Sequence, residues 1–464
     1  MTTLPSVLAA AEANFEPAID RLSSYLRIPA VSCDPKHAPD IARLADLVAD
    51  DLAALGLDAR VLQLDGALPC VAASWLKAGP DAPTILIYGH LDLQPVDGGD
   101  GWRTPPHEPT RVGDRLYARG SSDDMGGWVS HFAAIEAWLQ TTGKLPCNIR
   151  LIIESEEEIG SSALERYMDA FPDAFQADAM ILTDCENPST ELPGLTVSLR
   201  GVFEVVLRVE ALESDGHSGL WGNMVPDVST ALMRLVTRVV DEDGRPSVGL
   251  VKHPQSRHDA AAAVPIADAV IRRGAHLLDG VNPLPTRGRS AAEWLWLQPA
   301  ITVVSTTLPT PERKKNALRA AATAVLSVRL APDQTPEQML AAMQTELLRD
   351  PPAGVRVTAT QERGAGIGWY YEPKGPAFEA VDRAYLASWG HKPVRVGVGG
   401  SIPFVAIFGQ RFGDLPLILN GVMDPESTAH GPNESLHLGV FRKAILANVH
   451  LYAELGAPGV LPKR

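Results

Sequence analysis

Five short segments bring together residue types that hold metal ions. His90-Leu91-Asp92 closes the apolar run TILIYGH. An imidazole is a good zinc ligand, and an Asp two residues on is placed to hydrogen-bond the other ring nitrogen and fix the tautomer. Residues 119–127 read RGSSDDMGG, a carboxylate pair (Asp123, Asp124) among glycines just ahead of a helix. Residues 154–160 read ESEEEIG, with four glutamates within five positions at the end of an apolar strand. Such charges repel one another, and a bound cation relieves the repulsion. Asp184 closes another apolar run, and His430 lies in AHGPNE before the last helix. Singly, each segment has a plain alternative: a structural histidine, a helix-capping Asp turn, a solvated acidic loop. Together they supply two histidines and three or more carboxylates, a nitrogen-and-oxygen donor set that zinc accepts. Charge balance admits two ions: the carboxylates of Asp123, Glu158 and Asp184 with one hydroxide neutralise two dications. Glu157 is then left as a free carboxylate beside the water.

The elements that must position these residues form two patterns. In the first, short apolar strands (84–90, 148–154, 178–184) alternate with helices (40–55, 129–139). Strands apolar on both faces, separated by helices, predict a mostly parallel α/β sheet, whose ligands gather outside the carboxyl ends of the strands. Ser162 with Glu165 predicts a capping box for the helix that follows. From about residue 200 the order becomes strand 202–210, helix 227–241, strands 301–307 and 323–330, helix 335–348, strand 354–360. That β-α-β-β-α-β order is the split arrangement of a ferredoxin-like domain. After Gly375 the first pattern resumes and ends in a long helix near 435–455. The expected organisation is therefore an α/β catalytic domain, 1–199 and 376–464, with an inserted α+β domain, 200–375. Residues 243–299, rich in Pro, Arg and Ala, have no assigned place.

Composition narrows the function. The chain has 464 residues, is 45% hydrophobic and carries a formal charge of -15. With no Lys/Arg-rich run, nucleic acid and anionic membrane are poor partners. The four cysteines make no C-x-x-C pair and suit a reducing compartment. The N-terminal stretch reads as an amphipathic helix rather than a signal peptide, so the expected location is cytoplasmic.

In order along the chain, YGHLDLQP, RGSSDDMGG, ESEEEIGS, the Asp184 strand, DGHSG, SVRLAPDQTPEQ, GGSIP and AHGPNE resemble the co-catalytic dizinc exopeptidases. That family includes carnosinase and cytosolic non-specific dipeptidase, with acetylornithine deacetylase, succinyl-diaminopimelate desuccinylase and glutamate carboxypeptidase as relatives. The resemblance runs from about residue 20 to the C-terminus. It implies two divalent metal ions, zinc first, with manganese or cobalt as alternatives. His90 and Asp184 would hold one ion, Glu158 and His430 the other, and Asp123 would bridge them. Asp92 would support His90, Glu157 would be the general base, and the Asp123–Asp124 peptide would be cis. His217 would reach the partner subunit's site and stabilise the oxyanion, which implies a homodimer formed through the inserted domain. Arg329 would clamp a substrate carboxylate, helped by Gly400 and Ser401. The implied activity is hydrolysis of a dipeptide or similar small amide.

The match has departures. Met125 stands where the family usually has Lys, and Asn316 stands where relatives have a Thr upstream of the lid arginine. No histidine occurs in IGWYYEPKGP (367–376), where carnosinase-like relatives have one. These changes bear on how the amino end of a substrate is read. Two other readings stay open: an N-acyl amino acid deacylase on the same machinery, and an inactive relative that only holds metal.

Overall fold

The computed structural model describes residues 4–96, 101–399, 405, 408, 411–413 and 415–461, the side chains of 363–365 excepted. The strands used below, numbered along the chain, are β1 (Asp58–Leu62), β2 (Cys70–Trp75), β3 (Thr84–His90), β4 (Asn148–Glu154), β5 (Ala179–Leu182), β6 (Gly194–Leu199), β7 (Gly201–Glu210), β8 (Ala300–Thr306), β9 (Ala321–Leu330), β10 (Arg356–Gly366) and β11 (Leu417–Leu419). The helices are α1 (Ala38–Ala54), α2 (Met125–Thr142), α3 (Leu164–Ala170), α4 (Val228–Val239), α5 (Pro336–Leu347), α6 (Pro376–Trp389) and α7 (Leu438–Leu455). The chain divides into two compact units. One comprises Met1–Val197, Tyr371–Val396 and Pro403–Arg464; the other comprises Ser198–Tyr370 and Gly397–Ile402.

In the first unit the strands follow the order β1-β2-β4-β3-β5-β11-β6. The sheet is mixed. β4, β3, β5 and β11 run parallel in the centre, while β1–β2, β2–β4 and β11–β6 are antiparallel. The parallel character read from the sequence belongs to this centre, where strands are buried on both faces and are joined by helical crossovers; the flanking strands need none. α2 is buried over most of its length, which explains its lack of a polar stripe. It packs on β3 and against α7, and ends at Gly143 in the left-handed region. α6 begins with Pro376 and ends at Gly390, also left-handed.

Three local expectations differ from the structure. The 178–184 strand ends at Leu182, which leaves Asp184 on the loop beyond it. The last helix begins at Leu438, because 435–437 pair as a strand with 115–117. Ser162 and Glu165 form no capping box. The N-cap of α3 is Ala163 without a side-chain bond, and the Ser162 hydroxyl donates to Glu156 instead, at 3.0 Å.

In the second unit the order β8-β9-β7-β10 is antiparallel throughout. One face of β7 and β9 is apolar, and Phe203, Val205, Leu326 and Val328 pack there with Leu235 of α4 and Met343 of α5. Asp227 caps α4, and a Thr335/Gln338 capping box opens α5. The unassigned 243–299 segment forms three short helices, Gln255–Ala262, Asp268–Gly274 and Ala291–Trp296. His258 and Glu293 tie the first to the third at 2.6 Å.

Candidate metal centre

The carboxyl ends of β3, β4 and β5 converge on one site, where two further loops meet them. His90 is the last residue of β3 and is fully buried. Its N–H donates to Asp124 Oδ2 at 3.2 Å and its carbonyl accepts the Trp128 indole N–H at 2.8 Å. The same Asp124 oxygen accepts the Thr183 hydroxyl at 2.7 Å, so this carboxylate joins the ends of β3 and β5. Only glycine fits before His90: a Cβ at Gly89 would lie 2.5 Å from Asp124 Oδ2 and 2.8 Å from Thr183 Oγ1. The Asp123–Asp124 peptide is cis.

Two clusters result, His90–Asp123–Asp184 and Asp123–Glu158–His430, in each of which the donor atoms lie within 4.8 Å of one another. Asp123 belongs to both. Its Oδ1 lies 3.1 Å from His90 Nε2 and its Oδ2 lies 3.0 Å from His430 Nε2, so its two oxygens face opposite histidines. Asp184 Oδ2 is 4.0 Å from His90 Nε2, and Glu158 Oε2 is 3.2 Å from His430 Nε2. Gln94 donates to the same Glu158 oxygen at 2.7 Å.

Asp92 has two tasks. Its carbonyl is 3.1 Å from His90 Nδ1 and its carboxylate 3.5 Å away; at those distances the carbonyl is the hydrogen-bond acceptor and the carboxylate an ionic neighbour. The carboxylate accepts the backbone N–H groups of Glu157 and Glu158 at 3.2 and 3.1 Å, which orients the turn that carries both glutamates. The acidic run is thus divided by role. Glu154 is buried against Tyr88 and Ser161. Glu156 accepts the N–H groups of Leu68 and Ala163 at 2.8 and 3.1 Å. Glu157 and Glu158 are left for the site.

The electrostatics fit a cation. Burial, and then the charge of Asp123, push Asp184 up to about 7. Burial also holds Glu157 well above the usual carboxylate range, with Asp184, Glu158 and Asp123 adding to the effect and His90 opposing it. Asp123 moves the other way: burial would raise it, but His430 and His90 pull it below its ordinary value. Hydrogen bonds to Asp123 and Glu158 push His430 up to about 11. Carboxylates crowded together and facing two imidazoles are a donor set for divalent cations.

Of the other residues expected at the site, His217, Asn316 and Arg329 lie in the second unit. His217 is exposed in a two-residue strand paired with 317–318, and the Asn316 carbonyl accepts the Ser218 N–H at 3.2 Å. The structure therefore brings His217 and Asn316 together. Gly219 N–H donates to His217 Nδ1 at 3.1 Å, so a neutral ring carries its proton on Nε2. Arg329 lies near the end of β9 opposite Val202, on the face away from the helices. Arg200 shares that neighbourhood: burial, then the charge of Arg329, lower it to about 10. Gly400 and Ser401 lie outside the described residues. Met125 is buried in the main core of the first unit, an apolar setting that accounts for its type. Asp124, Arg119 and Glu434 were visible within their motifs, but their bonding to the site required the fold.

With this geometry in hand, the chain can be placed. The profile of Peptidase family M20/M25/M40 matches residues 86–454, and the chain belongs to that family. The protein is a hydrolase of the metallopeptidase kind. It is 30% identical over 406 residues, 87% of each chain, to a cysteinylglycine-S-conjugate dipeptidase of Corynebacterium striatum. It is 27% identical to the Cys-Gly metallodipeptidase dug1 of Schizosaccharomyces pombe, over 92% of this chain and 93% of the other. The crystal structure of human carnosine dipeptidase 1 shares the fold, with a TM-score of 0.78 at 22% identity over 98% of both chains. Among the described residues, no helix is long and apolar enough to cross a membrane.

Proposed function

We propose that the protein is a dipeptidase that uses two divalent metal ions, zinc first, to hydrolyse the amide bond of a dipeptide or similar small peptide. The observation that carries this reading is the pair of histidine–carboxylate clusters sharing Asp123. His90, Asp123 and Asp184 would hold one ion, and Asp123, Glu158 and His430 the other. Bound there, such ions acidify water and polarise a carbonyl. Glu157, whose pKa is raised by burial and neighbouring charge, accepts the proton of the attacking water and returns it to the leaving amine. His217 Nε2–H donates to the developing oxyanion. Arg329 grips the substrate carboxylate, a task the family resemblance also gives to Gly400 and Ser401, and Asn316 borders the His217 loop.

Residues 200–375 act as lid and dimerisation domain in this reading, so that His217 serves the partner's site. Support comes from β8: it is one of the two edge strands of its sheet among the described residues, and its Val303 and Val304 are exposed. Such an edge invites pairing. A cytoplasmic location accords with four free cysteines.

The test is hydrolysis by metal-stripped protein with and without added zinc or manganese, comparing Ala-Ala with N-acetyl-Ala. Metal-dependent cleavage of Ala-Ala is expected. Cleavage of N-acetyl-Ala alone would replace this reading with the deacylase, and bound metal with neither substrate cleaved would replace it with the inactive relative.

A further inference from the structure

One buried carboxylate joins the two loops that present Asp123 and His430. Glu434 has no exposed surface. Its Oε1 accepts the Ser122 N–H at 3.0 Å, the Ser122 hydroxyl at 3.2 Å and the Asp123 N–H at 3.2 Å. Its Oε2 accepts the Gly120 N–H at 3.0 Å and pairs with Arg119 Nη1 at 2.8 Å. The other terminal nitrogen of Arg119 donates to the His430 carbonyl at 3.2 Å. Thus one acid–guanidinium pair grips the backbone on both sides of the gap between Asp123 and His430. Charge-assisted bonds of this kind, out of water, are strong and directional.

The two clusters do not depend on this clasp equally. His90 ends a central strand and is held at its N–H by Asp124 and at its carbonyl by Trp128; Asp184 follows the neighbouring strand. His430 has no strand behind it. It sits in a loop with φ of 62°, its side chain is 59% exposed, and the Arg119 bond reaches its own carbonyl.

We propose that Glu434 is a positioning residue that, through Arg119 and the 120–123 amides, sets the gap between Asp123 and His430. The Asp123–Glu158–His430 cluster then binds its cation tightly only with the clasp intact, whereas the His90–Asp123–Asp184 cluster keeps its affinity without it. The inference rests on the two-cation reading above.

Calorimetric titration of the metal-stripped full chain with zinc tests it, comparing wild type with Glu434→Gln. The wild type should bind two ions. The variant should bind one with affinity within about threefold of wild type, and the second at least about tenfold more weakly, the range expected when a group behind a ligand is removed. Circular dichroism checks that the variant is folded. If Glu434→Gln does not fold, Arg119→Lys, which keeps the charge but loses the planar fork, is read the same way. Two sites of unchanged affinity would overturn the proposal. Equal weakening of both sites would also overturn it, since that is what a general structural role produces. A wild type that binds fewer than two ions would overturn the two-cation reading and the clasp with it.

Discussion

At the residue scale, the site works by giving similar carboxylates different surroundings. Asp123, between two imidazoles, is held ionised; Glu157, half-buried and near three carboxylates, is held back from ionising. That divergence is what a ligand and a proton carrier require. Glu157→Gln keeps the size of the side chain and removes its basicity. It is expected to lower kcat for dipeptide hydrolysis by about 100- to 10,000-fold, with zinc content by mass spectrometry unchanged. A variant within tenfold of wild type would remove Glu157 from the proton path.

At the element scale, α2 follows the Asp123–Asp124 turn and must stay fixed in the core. His131 is buried within it, with Nδ1 2.7 Å from the Tyr452 hydroxyl on α7. Burial lowers its pKa from 6.5 to about 3. The unfolded chain takes up this proton near pH 6.5, whereas the folded protein resists it until about pH 3. Between those values the unfolded state binds more protons, so stability falls as the pH drops and is fully present at neutrality. At pH 5 the loss from this one group is about 2 kcal/mol. His131→Gln keeps a polar group toward Tyr452 and cannot titrate. Urea unfolding at pH 7 and pH 5 should therefore show a loss about 2 kcal/mol smaller in the variant than in wild type. Equal losses would mean that His131 does not set the acid sensitivity.

At the scale of the whole molecule, a site completed by a partner makes activity a property of the dimer. Two inactive variants, His217→Ala and Glu157→Gln, carry their defects in different units. If His217 serves the partner's site, a mixed dimer contains one site with both residues intact. Co-refolding the two in equal amounts should restore up to about a quarter of wild-type activity: half of the dimers are mixed and each has one working site. Each variant alone should stay inactive. No recovery, or a fully active monomer in sedimentation, would show that each chain completes its own site.

Much of this protein is determined by its sequence alone. Strand-end histidines and carboxylates, a sheet read from apolar runs, and the β-α-β-β-α-β order are local patterns, carried by residue type and spacing over a few positions. What the tertiary structure decided is how those residues are shared out. Spacing could not tell that Glu154 and Glu156 fasten the core while Glu157 and Glu158 face the site, because four glutamates within five positions differ only in what the fold packs against them. Nor could it tell that the Asp92 carboxylate caps a turn 65 residues on, that Ser162 serves Glu156 rather than a helix end, or that Glu434 closes on a loop more than 300 residues away. Such bonds join segments distant in the chain. Their partners follow from which elements come together, and only the packed fold settles that.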